Sequence, residues 1–427
     1  MSRTVVGLDI GTNYIKVAIG EEDPLSGEMN IIGCSKCVSR GIKNGNIINL
    51  EDASASIQNA VDIAEQDAGA MVTDVYTVIG GNQAVSKNSK GQICVNPYGK
   101  ASPCLITEEA RLRAIENSKQ IYSPLDLTLI HVTPQEYIVD DQSGIKNPVG
   151  MSGVRLEAMC NLVYANQNTF SNLARSIDRA GYRMIGVALK SLASNVSTCL
   201  DEENELGSII IDLGAGSTDF MVLNKGAPVY ASSIPIGQNL VTQDISVMKN
   251  IPMEVAEDIK LKYGATWLFG NEQNEGVIIP SVGNHGPEQT TRLEIVEIIA
   301  PRLQEIFTTI RAEIVRKSGL KKLNGCIVLT GGGAHLRGVE QMAKVVFGTE
   351  SVRIGHSKDM GGKNKMYMDS DFATAVGLVL INSKNSVPKE KVTAPAFKEK
   401  IEKKSSGEKV KKEKSPSDFL NILKKFM

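Results

Sequence analysis

One short pattern occurs twice, and this duplication constrains the fold more than any other feature of the chain. The first copy runs Leu8-Asp9-Ile10-Gly11-Thr12-Asn13-Tyr14-Ile15-Lys16 and on to Glu21. The second runs Ile211-Asp212-Leu213-Gly214-Ala215-Gly216-Ser217-Thr218 and on to Asn224. Each is an apolar strand closing on an aspartate, a glycine-bearing polar turn, and a second apolar strand. Self-similarity within a chain sets the architecture before any other signal does. Two such hairpins predict an α/β protein of two lobes, and 427 residues suffice for two separate cores.

Turns of this kind facing one another would form a clamp. Gly11, Thr12 and Asn13 in one, and Gly214, Gly216, Ser217 and Thr218 in the other, offer backbone N–H groups and small side chains to phosphate oxygens. Lys16 can reach a phosphate as a point charge. Asp9 and Asp212 are poor strand residues. They make sense as ligands to the waters of a magnesium ion, which takes few carboxylates directly. A third element is Ile327-Val328-Leu329-Thr330 running into Gly331, Gly332 and Gly333. Three consecutive glycines are conformationally expensive; close approach of a ligand, adenosine above all, would explain them.

Elsewhere the pattern predicts a helix over 51–68, a strand over 75–80, and an inserted subdomain over 85–165 made of turns, a helix at 107–121 and strands at 127–140 and 154–164. Helices follow at 166–180, 190–200, 253–263, 290–318, 338–346 and 371–382, strands at 182–188 and 325–330, and an acidic turn at 201–205. The composition is that of a globular protein with net charge −1, which gives no support for nucleic acid as a partner. There is no apolar leader and no run long enough to span a bilayer, so a cytoplasmic protein with reduced thiols is expected. Cys34-Ser35-Lys36-Cys37 lacks the second pair a zinc site wants and reads as two strand cysteines. His131 and Glu136 lack a further ligand at metal spacing.

Residues 384–414 hold eleven lysines against five glutamates, a net of +6. Such a segment is expected to be a disordered tether. Residues 415–427 open with Ser415 and Pro416, a helix-start signature. Phe419, Leu420, Ile422, Leu423, Phe426 and Met427 then fall on one face, with Lys424 and Lys425 opposite. This pattern predicts a helix lying in an anionic membrane surface.

The two hairpins and the glycine strand resemble the phosphate and adenosine motifs of the actin-like ATPase superfamily, which includes actin, the Hsp70 chaperones and sugar kinases. The run His131-Val132-Thr133-Pro134-Gln135-Glu136-Tyr137, continuing through Gly144-Ile145-Lys146-Asn147-Pro148-Val149-Gly150 to Glu157, resembles FtsA, the bacterial actin-like cell-division family. The resemblance implies an actin-like two-lobed fold with an inserted subdomain. The first core lobe would comprise 1–84, 166–203 and 370–383, and the insertion 85–165. The second lobe would comprise 204–240 and 305–369, with a further subdomain at 241–304. It implies ATP and Mg2+ as cofactors, with Glu257 and Lys260 of Glu254-Val255-Ala256-Glu257-Asp258-Ile259-Lys260 reaching ribose and base. It implies connecting helices at 182–200 and 371–382, where Ala373 and Gly377 share a face. Partners would be a tubulin-like FtsZ filament met near residues 241–304, further copies of the chain in a polymer, downstream division proteins, and the cytoplasmic side of the cell membrane at the division site. The chain departs from the superfamily in one place. Where a Gln or Glu that helps position the attacking water begins the first connecting helix, this sequence has Lys190, which implies ATP binding with slow hydrolysis. A PilM-like type IV pilus scaffold and a small-molecule kinase of the same superfamily are the alternatives.

Overall fold

The computed structural model describes residues 3–80, 83–96, 102–120, 126–280, 286–318 and 325–383. The chain divides into two units, residues 1–389 and 390–427. The charged segment 384–414 and the terminal helix expected over 415–427 lie outside the described residues.

The first lobe opens with β1 (Thr4–Ile10), β2 (Tyr14–Glu22), β3 (Met29–Val38), the short β4 (Ile42–Lys43) and β5 (Asn46–Ile47), α1 (Leu50–Ala68) and β6 (Asp74–Ile79). The insertion holds β7 (Ala84–Cys94), β8 (Cys104–Leu105), α2 (Glu108–Ser118), β9 (Leu127–Val139), β10 (Gln142–Ile145), β11 (Ser152–Gly153) and β12 (Arg155–Asn166). The chain returns through α3 (Gln167–Arg179), β13 (Arg183–Leu189), α4 (Lys190–Thr198) and α5 (Asp201–Leu206). The second lobe holds β14 (Ser208–Leu213), β15 (Thr218–Asn224), β16 (Ala227–Ile234), α6 (Gln238–Lys249), α7 (Met253–Tyr263), β17 (Gly276–Ile279), β18 (Glu288–Thr291) and α8 (Arg292–Lys317). It closes with β19 (Cys326–Thr330), α9 (Val339–Phe347) and β20 (Val352–Ile354), and α10 (Ala373–Ser383) follows.

The duplicated hairpins seed two sheets of one design. Strand order is β13-β6-β1-β2-β3 in the first and β16-β15-β14-β19-β20 in the second. In each, an antiparallel three-stranded meander meets two parallel strands on the side of its first strand. β14 is buried along its whole length, which is why Ile209-Ile210-Ile211 reads as a continuous apolar run rather than an alternation. Leu8 and Val17 of the first sheet share a core with Ile57 and Val61 of α1, and Ile211 and Phe220 of the second share one with Val241 of α6 and Ile299 of α8. Helix ends follow local chemistry. Asn49 caps α1 by accepting from Glu51 N, and Gly69 ends it in the left-handed region at φ 64°.

Three expectations need correction. Residues 84–94, read as part of a turn-rich stretch, form β7, which pairs with β12 over its length. Its run of Ser, Lys and Asn residues masked the alternation. The acidic turn at 201–205 is the short helix α5, closed by Glu203, whose side chain accepts from Leu200 N. The divisions drawn after residues 240 and 304 fall inside the continuous helices α6 and α8.

α4 and α10 cross in direct contact. A Cβ on Gly377 would stand 1.8 Å from Ala193 O, and one on Gly7 would stand 2.2 Å from Ala375 O. Only glycine permits this approach of backbones. A hydroxyl ties the crossing, with Ser197 Oγ donating to Ala373 O at 2.6 Å.

Candidate functional site

The strand registers place the charged residues. β1 and β2 set Asp9 opposite Lys16, and β14 and β15 set Asp212 opposite Asp219. Seven residues separate the pair in each copy, so Asp219 is the counterpart of Lys16. Lys16 Nζ lies 3.7 Å from Asp9 Oδ2. In the second hairpin the cation comes instead from Lys190, the first residue of α4, whose Nζ lies 3.1 Å from Asp212 Oδ1 and 3.9 Å from Asp219 Oδ2. Lys190 is not a solvent-facing helix start; its side chain is 16% exposed. The other oxygen of Asp212 accepts from Ser194 at 2.9 Å and Thr374 at 3.1 Å, so both connecting helices hold it.

Burial works against charge here, and the partners overcome it. Desolvation would lower the pKa of Lys190, but the carboxylates of Asp212, Asp9 and Asp219 outweigh it and raise the value. Desolvation would raise that of Asp212, and Lys190 and Lys16 pull it below the usual carboxylate range.

The two turns meet at the mouth of the cleft. A Cβ on Gly216 would lie 2.6 Å from Thr12 Oγ1 and 2.8 Å from Asn44 Cα. Asn13 Nδ2 donates to Asn239 Oδ1 at 2.8 Å, and Asn239 Nδ2 returns the bond at 3.0 Å. Ser217 donates to Asp219 at 3.3 Å. Thr218 departs from the expectation: it is fully buried and its hydroxyl donates to Ile236 O at 2.8 Å. As the first residue of β15 it points to the opposite face of the strand from Asp219.

At the other end, α7 carries Glu257 and Lys260, 2.7 Å apart and three residues apart on one face. Lys260 Nζ also donates to Thr242 Oγ1 at 2.9 Å and Gln238 O at 3.4 Å. Its burial lowers its pKa, against the opposing pull of Glu257. The three glycines differ from the expectation of ligand approach. Gly331 sits at φ 81°, donates to Ser370 O, and would place a Cβ 2.5 Å from Asp212 Oδ1. A Cβ on Gly333 would meet Gln238 Nε2 and Leu213 Cβ, each at 2.7 Å. The neighbouring strand and helix, not a ligand, require those two. Gly332 alone has open space above it.

These residues enclose a cavity of about 420 Å³ lined by Asp9, Gly11, Thr12, Asn13, Lys16, Lys190, Asp212, Gly214, Gly216, Ser217, Glu257, Lys260, Gly332 and Gly333. A polyanion with a nucleoside attached fits this donor set. Lys16 and Lys190 stand at the phosphate turns, Lys260 stands at the far end, and the side-chain Nε2 of Gln238 is buried without a partner. A magnesium ion, when bound, would supply charge neutralisation at Asp9 and Asp212. Sequence reasoning missed Asp219, Thr374, Asn239 and Gln238. Asp219 was legible from the seven-residue spacing; the others come from segments with no repeat to flag them. Cys34 and Cys37 lie buried in β3, and burial pushes the Cys34 thiol up to about 11, so neither is poised for reaction.

Comparison with known proteins bears on this cleft and on the insertion. Residues 209–377 match the family model "Cell division protein FtsA", and residues 81–164 match "SHS2 domain inserted in FTSA". The chain is 39% identical over 382 residues to the cell division protein FtsA of Borreliella burgdorferi, covering 89% of this chain and 91% of that one. It is 34% identical over 384 residues to FtsA of Escherichia coli K12, covering 88% and 90%. Among solved structures it is similar to the PilM-PilN type IV pilus biogenesis complex (TM-score 0.63, 17% identity, 89% and 98% covered). It is also similar to MreB5 of Spiroplasma citri bound to ADP (TM-score 0.52, 14% identity, 89% and 95% covered). At those identities the likeness is one of fold, and the fold is actin-like.

Proposed function

The chain belongs to the FtsA family of bacterial cell-division proteins, and from that premise we propose that it is an ATP-binding, self-assembling adaptor that tethers an FtsZ filament to the cytoplasmic face of the membrane. The observation that carries this reading is the cleft, where two phosphate-type turns, two lysines and the Asp9–Asp212 pair converge in a chain of this family. Asp9 and Asp212 would hold magnesium through its waters. Gly11, Thr12, Asn13, Lys16, Gly214, Gly216 and Ser217 would hold the phosphates, and Glu257, Lys260 and Gly332 the nucleoside. Lys190 favours phosphate charge but offers no acceptor to orient a water, so ATP acts as an assembly switch turned over slowly. Turnover in the range of ordinary ATPases that persists in Lys190→Ala would refute that part.

Membrane contact falls to residues 415–427. The pattern is too short to cross a bilayer and suits the interface, and no helix among the described residues is long and apolar enough to cross a membrane. One such anchor holds weakly. Anchors joined in a polymer gain avidity of about 10²–10⁴, which links membrane binding to assembly. Recruitment of the filament falls to the face near residues 241–304, where Asp244 and Met248 of α6 and Pro301 and Arg302 of α8 line a second cavity of about 530 Å³. The PilM-like alternative rests on fold likeness alone, while the sequence identity, over 88–89% of the chain, is to division proteins.

The test is liposome co-sedimentation with ATP or ADP, using the full chain and a truncation ending at Lys414. Pelleting of the full chain alone, stronger with ATP, is expected. Equal solubility of both chains would overturn the membrane reading.

A further inference from the structure

Gln238 is the first residue of α6 and is only 6% exposed. Its amide nitrogen is buried with no hydrogen-bond partner. A buried amide left unsatisfied is unfavourable and rare in folded proteins. This one lines the cleft rather than a sealed core.

Its surroundings fix where the free N–H groups stand. The backbone N–H of Gln238 donates to Gly214 O at 2.9 Å, in the second phosphate turn. Its carbonyl accepts from Lys260, at the nucleoside end. Its side-chain nitrogen lies 2.7 Å from the point a Cβ on Gly333 would occupy, and a Cβ on Gly237 would be 2.5 Å from Ala215 O. The residue therefore sits between the phosphate turn and the glycine strand, at the wall of the cleft. Resting on the reading of the cleft as a nucleotide site, we infer that the Gln238 side-chain amide donates to the nucleotide where ribose meets the α-phosphate. That bond completes the unsatisfied donor and joins the ligand to α6.

The inference separates from a packing role by one asymmetry. A donor waiting for a ligand weakens the empty protein, so replacing it with an apolar group of similar size leaves the empty protein as stable or more so. The experiment measures dissociation constants of Mg-ATP, Mg-ADP and AMP for the full chain, and its thermal midpoint without nucleotide, before and after Gln238→Met and Gln238→Glu. Gln238→Met is expected to weaken all three ligands alike by about five- to tenfold, the worth of one buried hydrogen bond, with the empty midpoint unchanged or raised. Gln238→Glu, which replaces the donors with a charge facing phosphate, is expected to weaken them further. Loss confined to ATP would place the contact at the γ-phosphate and overturn the assignment. A fall in the empty midpoint with unchanged affinities would make Gln238 a packing residue. Absence of nucleotide binding by the unsubstituted chain would overturn the nucleotide reading itself, and this inference with it. Unchanged affinities in both variants would overturn the inference alone.

Discussion

Replacing Lys190 with Met keeps the volume of the side chain and removes the cation that Asp212 and Asp219 share. At an effective dielectric of about 20, unit charges at the two observed separations attract by about 5 and about 4 kcal/mol. Desolvation of the ammonium offsets several kcal/mol of that sum. Breaking a buried pair nonetheless leaves an uncompensated carboxylate, and the expected net loss is about 3–5 kcal/mol at neutral pH. The pH dependence carries a sign. Asp212 has a depressed folded pKa, so its stabilisation is present above the unfolded value, near 3.8, and is lost as pH falls through the folded value. Lys190 has a raised pKa, so its share is complete below about 10.5 and is lost only in strong base. The difference between the two proteins should therefore be flat from about pH 5 to 10 and shrink below pH 4. Urea denaturation without nucleotide at pH 7 and pH 3.5 measures it, and adding Asp219→Asn should restore part of the loss. An unchanged midpoint at pH 7, or a deficit that persists undiminished in acid, would refute the reasoning.

Three further outcomes follow from particular contacts. Gly377→Val should destabilise the chain by about 3 kcal/mol or more, because two methyls must displace the Ala193 backbone; thermal denaturation reads this directly. His131 accepts from Leu189 N at 3.1 Å, and burial pushes its pKa down to about 4. A histidine with a depressed folded pKa withdraws stability as pH falls from about 6.5 to about 4. His131→Asn should flatten that part of the pH–stability profile. A double-mutant cycle of Asn13→Ala and Asn239→Ala should give a coupling of about 1 kcal/mol between the lobes, and independent effects would show that the amide pair holds nothing.

The duplicated Asp–Gly turns made the architecture legible, because each repeat seeds a sheet and the two sheets share one strand order. The connecting helices were legible from their small residues, since Gly377 has no other reason to interrupt an apolar helix. Strand β7 was not, because a half-solvated strand carrying Ser, Lys and Asn looks like a loop when its partner β12 lies some seventy residues away. Within the cleft, the glycines misled in a specific way. A sequence shows that a backbone is crowded but not by what, and at Gly331 and Gly333 the crowding comes from Asp212, Leu213 and Gln238. Thr218 misled because one residue along a strand exchanges the two faces.

The first turn of α6 is bound to the second phosphate turn by two backbone bonds, from Gln238 N to Gly214 O and from Asn239 N to Ala215 O. A helix of its twelve residues is about 18 Å long. Tilting such a rod by roughly 5° at the bound end carries its tip about 1.5 Å. Met248 and Lys249 stand at that tip, on the rim of the cavity shared with α8. That end is itself tied to α8, where Arg302 donates to Asp244 and Lys249 to Glu294, so a tilt of α6 would have to carry α8 with it or break these pairs.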